Sequence, residues 1–185
     1  MDAAEYMKGH KNEFDVIIVD SSDPVGPAAT LYSSDFYRNM HAALKPGGIV
    51  CTQGECQWLH LDLIHKVIGD AAALFPTVEY AFASVPTYPS GQIGFIMGRK
   101  ADSALGALLG GGRALSQGRA VPAAMQSALR YYSQAIHRAC FVLPKFVADR
   151  LPASKQGGGW GRLAELVLFA APLAYLVATQ LAKRK

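Results

Sequence analysis

Charge is scarce in this sequence: Asp, Glu, Lys and Arg make up 17% of its 185 residues, where about a quarter is usual. With 51% of residues apolar, this scarcity excludes disorder of the whole chain. It leaves ample material for the core of one domain with an attached segment. Cysteine is scarce too. Cys51, Cys56 and Cys140 are odd in number and lack zinc-type CxxC pairing, so they read as reduced, buried thiols in an intracellular, cytoplasmic protein. No internal repeat is present, and Met1 to Lys11 is polar and mixed in charge rather than an apolar leader. The basic residues form no stripe interleaved with aromatics, so no nucleic-acid partner is expected.

The charges present are divided unevenly. Residues 1–98 hold 5 Lys/Arg against 11 Asp/Glu, net −6, whereas residues 99–185 hold 13 against 3, net +10. A site in the acidic half favours cationic ligands. The basic half suits an acidic surface or lipid headgroups.

The stretch Phe14 to Pro27 organises the chain. Its apolar run Val16 to Val19 ends at Asp20, and Asp23 follows inside a Ser/Pro/Gly turn. Such a run, bounded by turn formers, predicts a fully buried parallel strand with both acids at its carboxyl end, where open α/β sheets bind ligands. Beyond the turn, Phe36, Met40 and Leu44 recur at helical spacing, with Ser33 or Ser34 as cap and Lys45-Pro46-Gly47-Gly48 as stop. Ile49 to Gln53 predicts the next strand, and Leu61, Ile64, Val67, Ala71 and Phe75 a helix over 59–74. Val78, Tyr80 and Phe82 give a third strand and Ile93 to Met97 a fourth. Val85 to Gly91 is too short for a helical crossover, so the last two strands pair as an antiparallel edge hairpin.

Strand, helix, strand, helix, hairpin is the second half of an α/β doubly wound sheet. The absent first half would bury the Phe14 strand and implies a missing N-terminal portion. Residues 1–100 read as this half-domain and 101–124, rich in Ala, Gly, Leu and Ser, as a low-complexity linker or insertion. Residues 125–152 follow as a helical return segment of the same domain, with helices over 125–132 and 141–151. Residues 153–185 form a linker and an apolar C-terminal helix. The 17 residues Leu166 to Ala182 have only Thr179 and Gln180 as polar members. At 1.5 Å per residue they span about 26 Å, slightly short of a hydrocarbon core. A membrane tail anchor through 163–182 and a buried or amphipathic helix both fit; Pro172 and Glu165 weigh against the anchor.

Asp20 and Asp23 admit three readings on their own: a turn or helix-cap composition, a magnesium site, or paired carboxylates for acid/base work. No further ligand cluster supports the metal, so none is expected. The runs FDVIIVDSSDPVGPA, GGIVCTQGECQWLHLDLI, VPTYPSGQIGF and LRYYSQAIHRACFVLP, in this order, resemble the spermidine synthase branch of the polyamine aminopropyltransferase family, in its carboxyl-terminal half. The resemblance implies a Rossmann-like, methyltransferase-type sheet and transfer of an aminopropyl group from decarboxylated S-adenosylmethionine to putrescine, giving spermidine and methylthioadenosine. It implies no prosthetic group, and a homo-oligomer at full length. It assigns the base to Asp20 and the diamine contacts to Asp23, Gln53 and Tyr88, with Glu55 adding negative charge. Asp2, Ala3 and Pro27 fall on the nucleoside side, Ala3 replacing the family's glycine. Trp58 and His41, His60, His65 and His137 read as helix-face or core residues.

The family's N-terminal β-domain, glycine-rich loop and ribose-binding acid have no counterpart ahead of Phe14. The sequence therefore keeps the amine side of such a site and lacks most of the cosubstrate side. The alternatives to an active enzyme half are a non-catalytic truncated homologue, binding polyamine or a full-length subunit, and a putrescine N-methyltransferase. The runs Gln53 to Trp58 and Tyr88 to Gly91 favour aminopropyl transfer.

Overall fold

The structure, a computed structural model, describes residues 2–88, 90–104, 106 and 113–152. Its elements are α1 (Ala3–Met7), β1 (Phe14–Val19), a 3-10 turn (Gly26–Tyr32), α2 (Ser34–Ala43), β2 (Leu44–Gln53), α3 (Leu61–Ala72), β3 (Thr77–Ser84) and β4 (Gln92–Arg99). A second 3-10 turn (Leu115–Gln117) precedes α4 (Ala123–Gln126), α5 (Gln134–Ala139) and α6 (Lys145–Ala148). The four strands form one sheet in the order β1-β2-β4-β3. β1 runs parallel to β2, and β4 is antiparallel to both β2 and β3. β3 therefore runs in the same direction as β1 and β2.

Both long helices bury the stripe that their spacing predicts. Ser33 Oγ accepts from Phe36 N at 3.2 Å to start α2, which buries Phe36, Tyr37, Met40 and Ala43. α3 buries Ile64, Val67, Ile68 and Ala71. With Leu44, Val50, Val78, Tyr80 and Ile96 they form the core on one face of the sheet. β2 begins directly after α2 rather than at Ile49, because Gly47, at φ +75°, turns within the strand. Lys100 Nζ closes this corner by donating to His41 O at 2.8 Å, Leu44 O at 2.6 Å and Asn12 Oδ1 at 3.0 Å. A cation thus meets the carbonyls that α2 leaves unpaired at its end.

Three expectations change. β1 is parallel but, within this half of the sheet, not buried on both faces: Val16 is 55% and Ile18 74% exposed, as the expected incompleteness of the sheet leaves them, while Phe14, Ile17 and Val19 pack on the core. It is an edge strand whose only pairing partner is β2 among the described residues, and the helices cover one face. The expected linker 101–124 is partly packed, since buried Leu115 and its neighbour Ser116 donate their N–H groups to Glu79 at 2.8 and 3.0 Å. This contact covers the second face of β3 and buries Glu79. Instead of helices over 125–132 and 141–151 there are three short ones, with α5 lying between the expected pair, capped by Ser133 Oγ on Ile136 N at 3.1 Å. The apolar tail 166–182 lies outside the described residues; among those described, no helix is long and apolar enough to cross a membrane.

His41 is half-buried, its ring edge-on to Phe75 with centroids 5.0 Å apart. Burial and the neighbouring Lys100 charge hold its pKa below 6.5. The unfolded chain therefore takes up this proton first, and the stability that neutral His41 supplies is present above pH 6.5 and lost as pH falls towards the folded value. Urea unfolding from pH 7.5 to 5 should show a declining midpoint, and His41→Gln should flatten that decline. An unchanged slope in the variant would remove His41 as its source.

Candidate active site

Because β1, β2 and β3 run in one direction, their carboxyl ends share one edge of the sheet. Val19 of β1 pairs with Thr52 of β2, so Asp20 leaves the sheet beside Gln53. Ser84 pairs with Gln92 at the same edge, and the loop between them carries Tyr88. Gly91, at φ +66°, closes that loop, with Gly91 N on Tyr88 O at 2.8 Å and Val85 N on Gly91 O at 2.8 Å. Asp23 sits in the turn after β1, its carbonyl accepting from Val25 N at 2.6 Å. Asp20 and Asp23 are both exposed, and neither enters an ion pair among the described residues.

Tyr32 organises the floor of this edge. Its buried phenol lies 2.7 Å from Gln53 Oε1, 3.3 Å from Glu55 Oε1 and 3.3 Å from Ser22 O, and accepts from Ser21 Oγ at 3.2 Å. A phenol has one proton to give, and the shortest contact directs it to Gln53. Burial lifts the Tyr32 pKa above its ordinary value; the Ser21 hydrogen bond opposes this, and the negative charges of Glu55 and Asp23 add to it. Tyr32 therefore remains a donor. Glu55 N also reaches Gln53 Oε1 at 3.3 Å, so the Gln53 carbonyl is engaged from within and its Nε2 is the end left for a ligand.

Glu55 is held harder still. It is 6% exposed and adopts φ +57°, a left-handed conformation costing a non-glycine residue roughly 1–2 kcal/mol. Its carbonyl accepts from Gly94 N at 2.7 Å and Tyr80 Oη at 3.0 Å, and its carboxylate meets His60 Nδ1 at 2.9 Å. The loop that follows is tied to the foot of the hairpin, since Gln92 Oε1 accepts from Gln57 Nε2 at 3.0 Å and Trp58 Nε1 at 3.2 Å.

Asp20, Asp23, Gln53, Glu55 and Tyr88 are thus brought to one edge. Asp2 and Ala3 stand at the start of α1, where the Asp2 carboxylate caps Ala4 N at 2.7 Å and Glu5 N at 3.4 Å. No hydrogen bond among the described residues joins them to the acids. Pro27 is the second residue of the first 3-10 turn, and its side chain is outside the described residues. No group of three His, Cys, Asp or Glu is placed to hold a metal ion among those described. The sequence reading overlooked Tyr32, Tyr80, Gly94 and Gln92, and took His60 for a helix-face or core residue, where it pairs with buried Glu55. Gly94 alone carried a signal: a glycine between Ile93 and Phe95 in a strand marks a close approach. The Tyr32 contacts are tertiary and leave no periodic trace.

A Cβ at Gly94 would lie 1.9 Å from Tyr80 Oη and 2.4 Å from Glu55 O. Gly94→Ala should therefore cost about 3 kcal/mol or more of stability in urea unfolding. Tyr32→Phe, which keeps the ring, should cost about 1–2 kcal/mol by leaving Gln53 Oε1 short of its donor. Equal stability of Gly94→Ala and the parent would contradict the close approach.

The chain is similar to proteins of one family. The spermine/spermidine synthase domain matches residues 1–105. A spermidine synthase of Dictyostelium discoideum is 45% identical over 150 residues, covering 81% of this chain and 49% of that protein. Putrescine N-methyltransferase 2 of Nicotiana tabacum is 37% identical over 156 residues, covering 81% of this chain and 43% of that protein. A solved spermidine synthase in complex with the transition-state analogue AdoDATO superposes with a TM-score of 0.65 at 28% identity, over 82% of this chain and 49% of that one. The chain spans about half the length of the relatives it matches, and its fold is theirs in that half. By the match over more than half of its residues, this chain belongs to the spermine/spermidine synthase family.

Proposed function

We propose that this chain carries the amine side of an aminopropyltransferase site, transferring the aminopropyl group of decarboxylated S-adenosylmethionine to putrescine. The observation that carries this reading is the pair of exposed carboxylates, Asp20 and Asp23, at the carboxyl edge of β1, with the Gln53 end of β2 and the Tyr88 hairpin at the same edge. An acidic half of net −6 draws a dicationic diamine towards that edge.

The reaction needs a neutral amine, and an alkyl ammonium is protonated at neutral pH. Asp20 takes the proton from one end of the diamine. The freed lone pair attacks the carbon bound to the sulfonium, a nitrogen–carbon bond forms, the carbon–sulfur bond breaks, and methylthioadenosine leaves as a neutral thioether. Asp23 holds the distal ammonium, Tyr88 borders it, and Glu55, fixed by Tyr32 and His60, adds negative potential from below. Gln53 lies at the same edge with its carbonyl engaged by Tyr32 and Glu55 N, and is assigned as a further polar contact bordering the diamine. Asp2, Ala3 and Pro27 are assigned to the nucleoside, and Asp2 would exchange a capping bond for that contact.

The likeness to a putrescine N-methyltransferase supports a second reading, since the same acids would serve methyl transfer from S-adenosylmethionine. Offering putrescine with each sulfonium donor, and measuring spermidine and N-methylputrescine by mass spectrometry, separates the two. Spermidine is expected from this chain or from a version extended upstream to the length of its relatives, and its absence from both would sink the aminopropyl reading. Asp20→Asn should lower turnover about 10²–10⁴-fold, the range of a general base, and Asp23→Asn should chiefly raise the KM for putrescine. Undiminished turnover of Asp20→Asn would remove it as the base.

A further inference from the structure

At the opposite end of the sheet from the acids, the segment after β4 folds over Ile49 and Met97 and encloses a cavity of about 300 Å³. Arg99, Arg113, Arg119 and His137 line it, and no carboxylate does among the described residues. Arg99 ends β4, paired with Ile49 on one side and Thr77 on the other, so the amino ends of β2 and β3 locate it. Its Nε is buried and has no hydrogen-bond partner among the described residues. None of the three arginines enters an ion pair among the described residues.

The surrounding segment is fixed rather than incidental. Arg113 donates to the carbonyls of Gln117, at 2.8 Å, and Gly118. His137 Nε2 lies 2.9 Å from Leu115 O, and since a carbonyl only accepts, that nitrogen carries the proton. A Cβ at Gly118 would lie 2.8 Å from the His137 ring, at a backbone φ of +32° that favours glycine. The carboxylate of Glu79, on the adjoining part of β3, is occupied by the N–H groups of Leu115 and Ser116.

Three guanidinium groups converge here without a counter-ion, and one buried donor is unsatisfied. The unsatisfied buried donor is costly in a native structure, and a bound anion would satisfy it while pairing with the two exposed guanidinium groups. Guanidinium forks match tetrahedral oxyanions, offering two parallel donors to each oxygen pair. We propose that this cleft binds the phosphoryl group of a small phosphorylated molecule, with Arg99, Arg113 and Arg119 as its ligands and His137 as a wall. The apolar floor of Ile49 and Met97 accepts the organic body. A recess with three arginines is too short a track for a nucleic-acid backbone.

The test is calorimetric titration of the full chain with inorganic phosphate and with phenyl phosphate, against potassium chloride at matched ionic strength. Saturable binding of both phosphates is expected, tighter for the ester. Arg99→Gln and the exposed Arg119→Gln should each weaken it about tenfold, the worth of one charged hydrogen bond. Arg119→Gln leaves the packing untouched, so its result stands if Arg99→Gln fails to fold. Asp20→Asn should bind phosphate like the parent, which separates this site from the amine site. The same heat with chloride, equal affinity in Arg119→Gln, or binding of an RNA oligonucleotide in preference to phenyl phosphate would each overturn the proposal.

Discussion

The carboxyl edge depends on β4 lying between β2 and β3. Being antiparallel to both, β4 forces those two strands to agree in direction, and the Tyr88 loop arrives beside Asp20 and Gln53. Its helix-facing residues are Gly94, Ile96 and Gly98. A Cβ on Gly98 would meet Phe75 Cγ at 2.9 Å, and one on Gly94 would meet Tyr80 Oη. The strand therefore fits under α3 and against Glu55 because two of its three inward positions are bare. That closeness lets Gly94 N and Tyr80 Oη hold the Glu55 carbonyl, and the left-handed turn at Glu55 aims its carboxylate at Tyr32 and His60. Backbone packing in mid-sheet thus sets the electrostatics of the site floor.

β1 forms the other half of the edge. Its side chains Val16 and Ile18 are exposed on the flank where the sheet is incomplete, the chain spanning about half of its relatives. The opposite strand is managed differently, since Phe82 N of β3 donates to Cys140 O at 2.9 Å and Glu79 is capped from above. Among the described residues, the β3 edge of the sheet is therefore the covered one.

What the sequence showed of this arrangement was what repeats or ends abruptly. α2 and α3 were readable from apolar spacing, and the hairpin from a connection too short to cross over. The acids were placed because Val19-Asp20 is a sharp change of polarity at a strand end. The exposure of Val16 and Ile18 was legible only through the absent first half of the sheet, because an apolar run by itself looks alike whether both faces are covered or one. Glu79 appeared to be an outward residue of a half-buried strand; the segment that covers it follows the Gly-rich insert, and no local pattern links the two. The short helices after Pro122 fail for another reason. At four to six residues each, they are held by caps and contacts rather than by a stripe that periodicity can detect.

The net charge of +4 conceals two opposed fields held by one sheet. Asp20, Asp23 and Glu55 gather at the carboxyl edge, while Arg99, Arg113 and Arg119 gather towards the amino end. From Arg99 back to Phe95, the partner of Gln53, β4 extends roughly 13 Å. That exceeds the Debye length of about 8 Å at physiological salt, so the arginines scarcely repel a diamine approaching through solvent. The separation follows from topology, since acids that follow parallel strands and arginines that follow an antiparallel one must emerge at opposite ends. A cationic and an anionic ligand can therefore occupy one small domain without competing for the same field.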